Sequence, residues 1–552
     1  MADKPPKRPS GVAGTGAPVE PPFAPGGAGK PGTRSLPELT PGVLPGWVVH
    51  TPRPPSKKPP AAAAAPKPAP PAAKPSAPGH PTAAARGAAA PDTGPPPLPG
   101  SVRSTVEAIA WPAIPRDRIA RDLALQFQLS QSQWWSPERI REHQFHQLSQ
   151  LLRHAGATVP FYRRLFKRIG FDPKAPLRPE DWAQLPVLTR RDIQESFTAL
   201  QSEAVPKSHG GTFTCSSSGS TATPITVVKT SLQQALWRAN TLRDHMVHKR
   251  DMSLRLASIR HWEEDTDYPY PDGGASSGWG SSSAAFATGR GFMLGLATKV
   301  HQQAEWLQRV RPNYLMSYPS NFEALAHHCI DRGIAFPFLV ELRAMSEVVR
   351  PEVRDICRRA WGVEIKDTYT AEEIGWIAFQ SPVCEEMLVH AETVLVEVLD
   401  DSGKPCPPGQ AGRVIATPLH AFAMPLIRYV QGDLAVPGDK AACGRGLPVL
   451  KEILGRERNM VRLPNGHVHY PSYHYLTQGQ DKIVQFQIVR KEIELLEVRL
   501  VARAPLDEAE ERTLADRIRE RFQYPFQVRL AYVDDIQRTP RGKFIDFISE
   551  VD

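Results

Sequence analysis

The chain contains 552 residues, which exceeds the usual size of a single domain. Its formal net charge is +9, but residues 1–100 carry +7 of this, so the other 452 residues are close to neutral. The near-neutral charge of these residues argues against a fold that binds nucleic acid specifically. No run of 18 apolar residues occurs, which argues against a membrane-spanning helix. The six cysteines contain no C-x-x-C pair, which argues against a disulfide scaffold.

Residues 1–104 are predicted to form a disordered, basic tail rich in proline and alanine. Residues 1–100 hold 28 of the 57 prolines and few large apolar side chains, so the tail cannot bury enough surface to offset the entropy of ordering. We interpret it as a soluble spacer, with weak binding to nucleic acid or to an anionic surface as the alternative. The chain starts without the apolar segment of a secretion signal, which with the sparse cysteines predicts a cytoplasmic protein.

The next predicted elements alternate between helices and short apolar runs. Ser136, Pro137 and Glu138 form a helix start, with a capping serine, a proline in the first turn and an acid near the helix N-terminus. Leucines at i, i+3 and i+4 spacing then predict a buried helical face. Amphipathic helices are predicted at 300–309, 321–331 and 351–361, with apolar runs at 313–316 and 338–340 between them. This alternation predicts an α/β fold.

The C-terminal part of the chain is predicted to contain more β-structure. Strands are predicted at 394–399 and 413–417, separated by a turn at 401–405. After residue 455 the pattern predicts a strand pair at 483–489 and 493–501, a helix at 506–522 and a strand at 527–533. We therefore predict a large α/β domain at 105–455 with sheets flanked by helices, and a small α+β domain at 456–552.

A loop of small residues between two β-like segments, 211–214 and 225–228, is the most informative motif. Its core consists of Ser217, Ser218, Gly219, Ser220 and Thr221. Backbone N–H groups and hydroxyls in such a loop can converge on one point, which suits a phosphate group. The loop lacks the closing Gly-Lys of P-loop ATPases, and an ordinary turn is the alternative interpretation.

Five segments in order resemble the motifs of the adenylate-forming superfamily of acyl-CoA synthetases, and most closely its phenylacetate–CoA ligase-like branch, which includes homologues from capsule and exopolysaccharide gene clusters. They are the phosphate loop at 217–224 and residues 369–375, 428–433, 455–459 and 538–543. Residues 317–320 and 443–448 also favour this branch. The resemblance spans roughly residues 105–550. It implies that the large domain binds ATP and an acid and that the small domain is a mobile lid.

The resemblance implies an ATP- and Mg²⁺-dependent acid ligase. The acid's carboxylate would attack the α-phosphorus of ATP, giving an acyl- or aryl-adenylate, and the acyl group would pass to coenzyme A. Lys543 is expected to bridge the carboxylate and the α-phosphate, and Glu373 is expected to hold Mg²⁺, so these are the predicted catalytic residues. An exposed loop lysine and an acid at a helix N-terminus are the respective alternatives.

The resemblance also implies nucleotide contacts by Tyr369, Glu372, Asp433 and Arg456. Asp433 would accept the two ribose hydroxyls, Tyr369 would stack on adenine, and Arg456 would contact ribose or phosphate. Arg458 would be the hinge residue. The alternatives are an aspartate in a Gly-Asp turn, a tyrosine in the core and a solvated linker charge.

Three departures from the family pattern leave two other functions open. Ala222 stands where a glycine is usual, Thr223 where many relatives have lysine, and Arg458 where the hinge residue is usually Asp or Lys. One alternative is an adenylate-forming enzyme with an amine or sugar-hydroxyl acceptor in exopolysaccharide or envelope assembly. The other is a catalytically silent homologue that acts as a scaffold or sensor, using its Pro-rich tail to recruit partners.

Two further features concern the acid pocket and a possible metal site. The candidates for the walls of the acid pocket are His261, Trp262, Trp279, Phe286 and Phe292, with ordinary core positions as the alternative. Some relatives place extra cysteines that could hold zinc, but no pair here has tight ligand spacing, so structural zinc is not predicted at Cys384, His390, Cys406 and Cys443. A homodimer is left open.

Overall fold

A computed structural model describes residues 115–551 except 217–223, 263–267, 458–460, 464–467, 470–481 and 539–543. The N-terminal tail, the centre of the phosphate loop, Arg458 and Lys543 therefore lie outside the described residues. Side chains are also left undescribed in two short strands, at 461–462 and 468–469.

Ten α-helices lie in the described ranges. They are α1 (Asp117–Ser132), α2 (Pro137–Thr158), α3 (Pro160–Ile169), α4 (Pro179–Ala183), α5 (Arg190–Ser196), α6 (Ser231–Val247), α7 (Val300–Val310), α8 (Pro319–Arg332), α9 (Pro351–Trp361) and α10 (Glu508–Phe522).

The same ranges contain twenty-one strands. They are β1 (Thr212–Ser216), β2 (Thr226–Thr230), β3 (Leu256–Arg260), β4 (Gly274–Ser276), β5 (Gly291–Gly295), β6 (Tyr314–Ser317), β7 (Glu341–Ala344), β8 (Glu364–Lys366), β9 (Thr368–Ala371), β10 (Gly375–Gln380), β11 (Met387–Val389), β12 (Val394–Leu399), β13 (Gly412–Pro418), β14 (Tyr429–Pro437), β15 (Val449–Arg456), β16 (Val461–Arg462), β17 (Val468–His469), β18 (Ile483–Glu492), β19 (Leu495–Ala502), β20 (Gln527–Tyr532) and β21 (Phe547–Ser549).

Three sheets of four or more strands organise these elements. The largest is antiparallel, with the strand order β12-β13-β14-β15-β11-β10-β9. A six-stranded sheet, β4-β5-β3-β6-β7-β8, is parallel except for its edge strand β4. A four-stranded sheet, β20-β19-β18-β21, lies in the C-terminal part of the chain, and β1 and β2 form a separate hairpin around the phosphate loop. The predicted α/β fold is therefore confirmed.

Each of these sheets is covered by amphipathic helices. The leucine face of α2, which includes Leu148 and Leu152, packs with residues of the seven-stranded sheet, and α7, α8 and α9 pack with the six-stranded sheet. Leu514, Ile518 and Phe522 of α10 pack on the four-stranded sheet, as the sequence predicts. Burial of these apolar faces is what fixes the helices on their sheets.

The helix that reaches the candidate site begins at a well-defined cap. Thr230, the last residue of β2, accepts a hydrogen bond from the backbone N–H of Gln233 at 3.3 Å, and the Gln233 side chain accepts one from the Thr230 N–H at 3.0 Å. This reciprocal capping fixes where α6 starts relative to the β1–β2 hairpin.

One predicted apolar run differs from the structure. Residues 338–340 form no strand; the strand is Glu341–Ala344, and Val340 is 54% exposed. Trp279 and Phe286 are buried in a separate apolar cluster rather than in the cavity described below. Among the residues described, no helix combines the length and apolar character that a membrane crossing requires. The domain boundaries at 104 and 455 stay predictions.

Candidate functional site

Glu373 lies in a β-hairpin turn and not at the start of a helix. Tyr369 belongs to β9 and Gly375 opens β10, so Glu372, Glu373 and Ile374 form the connection between the two strands. Gly375 has a φ of +110°, a conformation that residues with a side chain rarely adopt. The alternative interpretation of Glu373 as a helix N-terminal acid is therefore wrong.

Asp433 lies at the centre of the candidate nucleotide site, where three of the predicted residues meet. The Tyr369 hydroxyl donates to Asp433 Oδ2 at 2.6 Å, and Arg456 Nε lies 3.1 Å from Asp433 Oδ1. Asp433 on β14 and Arg456 on β15 are direct cross-strand partners, so sheet register holds this pair together. Asp433 is 6% exposed, so the carboxylate is held in one orientation away from bulk water.

The environment sets the charge state of this group. The Asp433 carboxylate raises the pKa of the Arg456 guanidinium, which therefore remains a cation. Burial, together with the same carboxylate, raises the pKa of Tyr369 well above its usual range, so its hydroxyl remains a donor at neutral pH. The Tyr369 hydroxyl thus holds the Asp433 carboxylate by a hydrogen bond, a function that stacking of the ring on adenine would not require.

Gln431 hydrogen-bonds both to Arg456 and to Glu373, and it is not among the site residues predicted from the sequence. Its Nε2 donates to Glu373 Oε1 at 3.4 Å, and its backbone carbonyl accepts from Arg456 Nη1 at 3.0 Å. Tyr429, Gln431 and Asp433 are the buried, alternate positions of β14, which is the period-2 signal that could have identified Gln431.

Glu373 suits a single carboxylate ligand of Mg²⁺. Its side chain is buried, and Mg²⁺ is usually held by one or two carboxylates together with substrate phosphates and water. The described ranges contain no group of three His, Cys, Asp or Glu side chains that could form a closed metal cage.

A cavity of about 170 Å³ lies beside the same hairpin turn. It is bounded by the β1–β2 hairpin, by α6, by the turn between β9 and β10 and by the end of β13. The residues that line it are Phe213, Cys215, Lys229, Gln233, Gln234, Leu236, Trp237, Asn240, Glu372, Ile374, Gly375, Trp376, Thr393, Pro418 and His420. The cavity is therefore lined both by the β9–β10 turn and by strands β1 and β2, which precede and follow the phosphate loop in sequence.

Two side chains tie the β1–β2 hairpin to the turn. The Lys229 ammonium group donates to the backbone carbonyl of Glu372, and the Cys215 thiol donates to the same oxygen at 3.6 Å. Burial raises the pKa of Cys215, so it stays a neutral thiol. Lys229 is half-buried and is the lysine among the described lining residues. Glu372 contributes its backbone here, while its side chain is exposed.

The segments on both sides of Lys543 contact the six-stranded-sheet region. The Arg538 guanidinium donates to Ser320 Oγ at 2.6 Å, and the Phe544 backbone N–H donates to Glu347 Oε1 at 2.7 Å. Glu347 Oε2 also accepts the Ser320 backbone N–H at 3.0 Å. Lys543 itself is outside the described residues, so its role stays a prediction, as do those of the phosphate-loop residues and Arg458.

Comparison with known proteins agrees with the motifs. The family described as CapK C-terminal domain matches residues 466–550. The phenylacetate-coenzyme A ligase of Thermus thermophilus is 27% identical over 350 residues, which cover 61% of this chain and 74% of that protein. That of Pseudomonas putida is 24% identical over 388 residues, which cover 68% of this chain and 82% of that protein.

The fold agrees with solved structures as well. A 2-hydroxyisobutyryl-CoA ligase in the postadenylation state, in complex with 2-HIB-AMP, has a TM-score of 0.60 at 22% identity. The match covers 74% of this chain and 89% of that one. The resemblance predicted from the motifs is confirmed: the chain has the fold of the adenylate-forming coenzyme A ligases and is similar in sequence to the phenylacetate–coenzyme A ligases.

Proposed function

We propose that the protein is an AMP-forming acid–thiol ligase, which activates a carboxylic acid with ATP and transfers the acyl group to coenzyme A. The observation that carries the proposal is the arrangement of Tyr369, Asp433 and Arg456 beside the buried Glu373, next to a cavity that can take the acid. Its large part, 105–455, would bind ATP and the acid, and its C-terminal part, 456–552, would supply Lys543.

Asp433 is the proposed ribose ligand. A carboxylate offers about four lone-pair positions, and Tyr369 and Arg456 each use one on a different oxygen. Each oxygen thus keeps a position for a ribose hydroxyl. The two existing bonds fix the carboxylate plane before the nucleotide arrives, so little ordering cost remains when it binds.

Glu373 is the proposed Mg²⁺ ligand, with Gln431 holding its carboxylate in place. When bound, Mg²⁺ supplies positive charge that neutralises the phosphates. Glu373 lies two hairpin residues from Gly375 and shares its turn with Glu372, whose carbonyl is held by Lys229. Metal site and acid cavity are thereby built on one short loop.

The acid would enter the cavity with its carboxylate towards Lys229 and the phosphate loop. Its oxygen attacks the α-phosphorus, the bond to the bridging oxygen breaks, and pyrophosphate leaves with the electron pair. The coenzyme A sulfur then attacks the acyl carbon, the thiol proton passes to solvent, and AMP leaves with the electrons of the acyl–oxygen bond. The proposed role of Lys543 is to stabilise the charge that develops at the α-phosphate in the first step.

Pyrophosphate release tests the function. The purified full chain is assayed with Mg-ATP and a panel of aryl and fatty acids, with and without coenzyme A. Acid-dependent pyrophosphate release and thioester formation are expected. Release without thioester would favour an amine or sugar-hydroxyl acceptor, and failure to bind ATP would favour the silent homologue.

The site is tested by replacing Asp433. In Asp433→Asn, weaker ribose binding is expected to lower kcat/KM for ATP by about 100-fold, which corresponds to about 3 kcal/mol. Asp355→Asn is the matched control, because Asp355 is an exposed aspartate in a surface ion pair with Arg358. Equal activity of both variants would contradict the assignment of Asp433.

A further inference from the structure

We propose that Lys229 is a substrate-binding cation that neutralises the carboxylate of the acid and holds it for attack on ATP. The inference rests on the ligase function proposed above and assigns a further residue to the same site. Lys229 belongs to none of the five motifs that resemble the adenylate-forming superfamily. The assignment follows from the surroundings of its ammonium group and from the charges of the other residues that line the cavity.

Lys229 is a charged group that a ligand in the cavity can reach. Its side chain lines the cavity and is half-buried, so part of its surface remains accessible. Of its three N–H donors, one is used by the Glu372 carbonyl and a second faces the Cys215 sulfur. Among the described residues no carboxylate forms an ion pair with it. A donor and an uncompensated positive charge therefore remain for a ligand.

The other described lining residues supply no competing cation. Burial lowers the pKa of His420 to about 4, so its imidazole is neutral at physiological pH. Gln233 and Gln234 carry neutral amides, and most of the remaining wall is apolar. An anion that enters the cavity is therefore attracted to Lys229 more than to any other described lining side chain.

The β1–β2 hairpin holds this charge beside the predicted metal ligand. Lys229 on β2 and Cys215 on β1 both donate to the Glu372 carbonyl oxygen. That carbonyl belongs to the peptide bond that joins Glu372 to Glu373, the proposed Mg²⁺ ligand. A carboxylate bound to Lys229 would therefore lie next to the turn that carries Glu373.

A cation at this position serves the first half-reaction in particular. The carboxylate and the α-phosphate are both negatively charged, so they repel each other unless positive charge lies beside them. The ammonium group can donate a charge-assisted hydrogen bond to the carboxylate while the Glu372 carbonyl restrains the lysine side chain. In the adenylate the carboxylate charge is gone, because that oxygen is bonded to phosphorus. Transfer of the acyl group to coenzyme A would then not require Lys229.

Kinetics of the first half-reaction test the assignment. Lys229→Gln removes the charge but keeps a donor for the Glu372 carbonyl, and Lys404→Gln is the matched control at an exposed lysine between β12 and β13. Pyrophosphate release is measured with phenylacetate, benzoate and hexanoate. In Lys229→Gln, KM for the acid should rise about 10-fold or more, while KM for ATP changes by less than about 3-fold. An unchanged KM for the acid, an equal rise in KM for ATP, or the same effect in the control overturns the proposal.

The second half-reaction separates substrate binding from a structural role. The adenylate of the best acid is synthesised, and thioester formation with coenzyme A is followed in wild type and Lys229→Gln. The two rates should agree within about 3-fold, because the adenylate lacks the charge that Lys229 binds. A loss of about 10-fold or more in this step would show that Lys229 mainly supports the turn, and it would overturn the proposal.

Failure of the ligase function would be recognised separately. If no acid releases pyrophosphate, the Kd values of the three acids and of their amides are measured by quenching of tryptophan fluorescence, since Trp237 and Trp376 line the cavity. Wild type should bind the best acid about 10-fold more tightly than its amide, and Lys229→Gln should lose this preference. That result supports the assignment without the ligase function, whereas equal Kd values in wild type or no binding overturn it. The wild-type comparison decides if the variant fails to fold.

Discussion

Replacing Glu347 by alanine is expected to loosen the attachment of the C-terminal segment. Glu347 accepts the Phe544 N–H at 2.7 Å, and Arg538 Nη1 lies 3.8 Å from the same oxygen. The Glu347 side chain is 11% exposed and that of Arg538 is 23% exposed, so water screens these contacts only in part. The contacts therefore resemble partly buried, charge-assisted bonds rather than a surface ion pair.

The expected size of the effect follows from these contacts. One hydrogen bond to a charged group contributes about 1.5–3 kcal/mol. The bond from the Ser320 N–H to Glu347 does not attach the C-terminal segment, because neither residue belongs to that segment. Loss of the Phe544 bond alone should therefore lower the ratio of attached to detached segment by about 10- to 150-fold.

Hydrogen exchange measured by mass spectrometry is the assay. Protection of residues 544–551 should fall by this factor in Glu347→Ala, while protection of β12 should not change. Glu550→Ala is the matched control, since Glu550 pairs with Lys491 within the C-terminal sheet and its side chain is 47% exposed. Unchanged exchange of 544–551 in Glu347→Ala would refute the reasoning, and so would an equal loss in the control.

Three further outcomes are expected. Tyr369→Phe should weaken ATP binding about 10-fold, measured calorimetrically, because Asp433 loses a 2.6 Å hydrogen bond; a stacking role alone would leave affinity unchanged. Asp244→Asn should lower the free energy of unfolding in urea by about 3–5 kcal/mol, because it leaves the buried Arg250 and Arg343 without their shared carboxylate. For His420, the pKa of about 4 lies below the unfolded value of about 6.5, so the unfolded chain binds the proton first. Neutral, buried His420 therefore lowers stability only in acid: the free energy of unfolding is unaffected above pH 6.5 and falls as the pH decreases from 6.5 towards 4. Between pH 7 and 5, the free energy of unfolding of the wild type should decrease by about 2 kcal/mol more than that of His420→Leu.

The elements predicted correctly are those with local signals. Helix Pro351–Trp361 begins and ends where its proline, apolar spacing and following glycine predict. The strand pair β18–β19 is also confirmed, because alternation and a short turn define a hairpin within one stretch of chain. In these cases the residues that determine the structure are neighbours in sequence.

The parts of the site that sequence could not predict depend on distant pairing. Asp433 and Arg456 are identified by motif, but their ion pair results from the register of β14 on β15. Asn240 and Thr393 are separated by 153 residues, and nothing near either one indicates that they share a cavity wall. The cavity lining comes from elements that are far apart in sequence, so local patterns do not identify it, and the predicted aromatic residues Trp279 and Phe286 lie in a separate apolar cluster.

In the proposed reaction, the groups that bind ribose differ in charge from the groups that neutralise phosphate. Arg456 is committed to Asp433, and this pair is close to neutral, which suits recognition of an uncharged ribose more than neutralisation of phosphates. In the proposed adenylyl transfer, the positive charge would then come from Mg²⁺ held by Glu373, from the donors of the phosphate loop and from Lys543. Thr223 in place of lysine removes one cation from that set. In the proposed reaction, the metal and Lys543 would therefore carry a larger share of the phosphate charge than in relatives with a lysine at position 223.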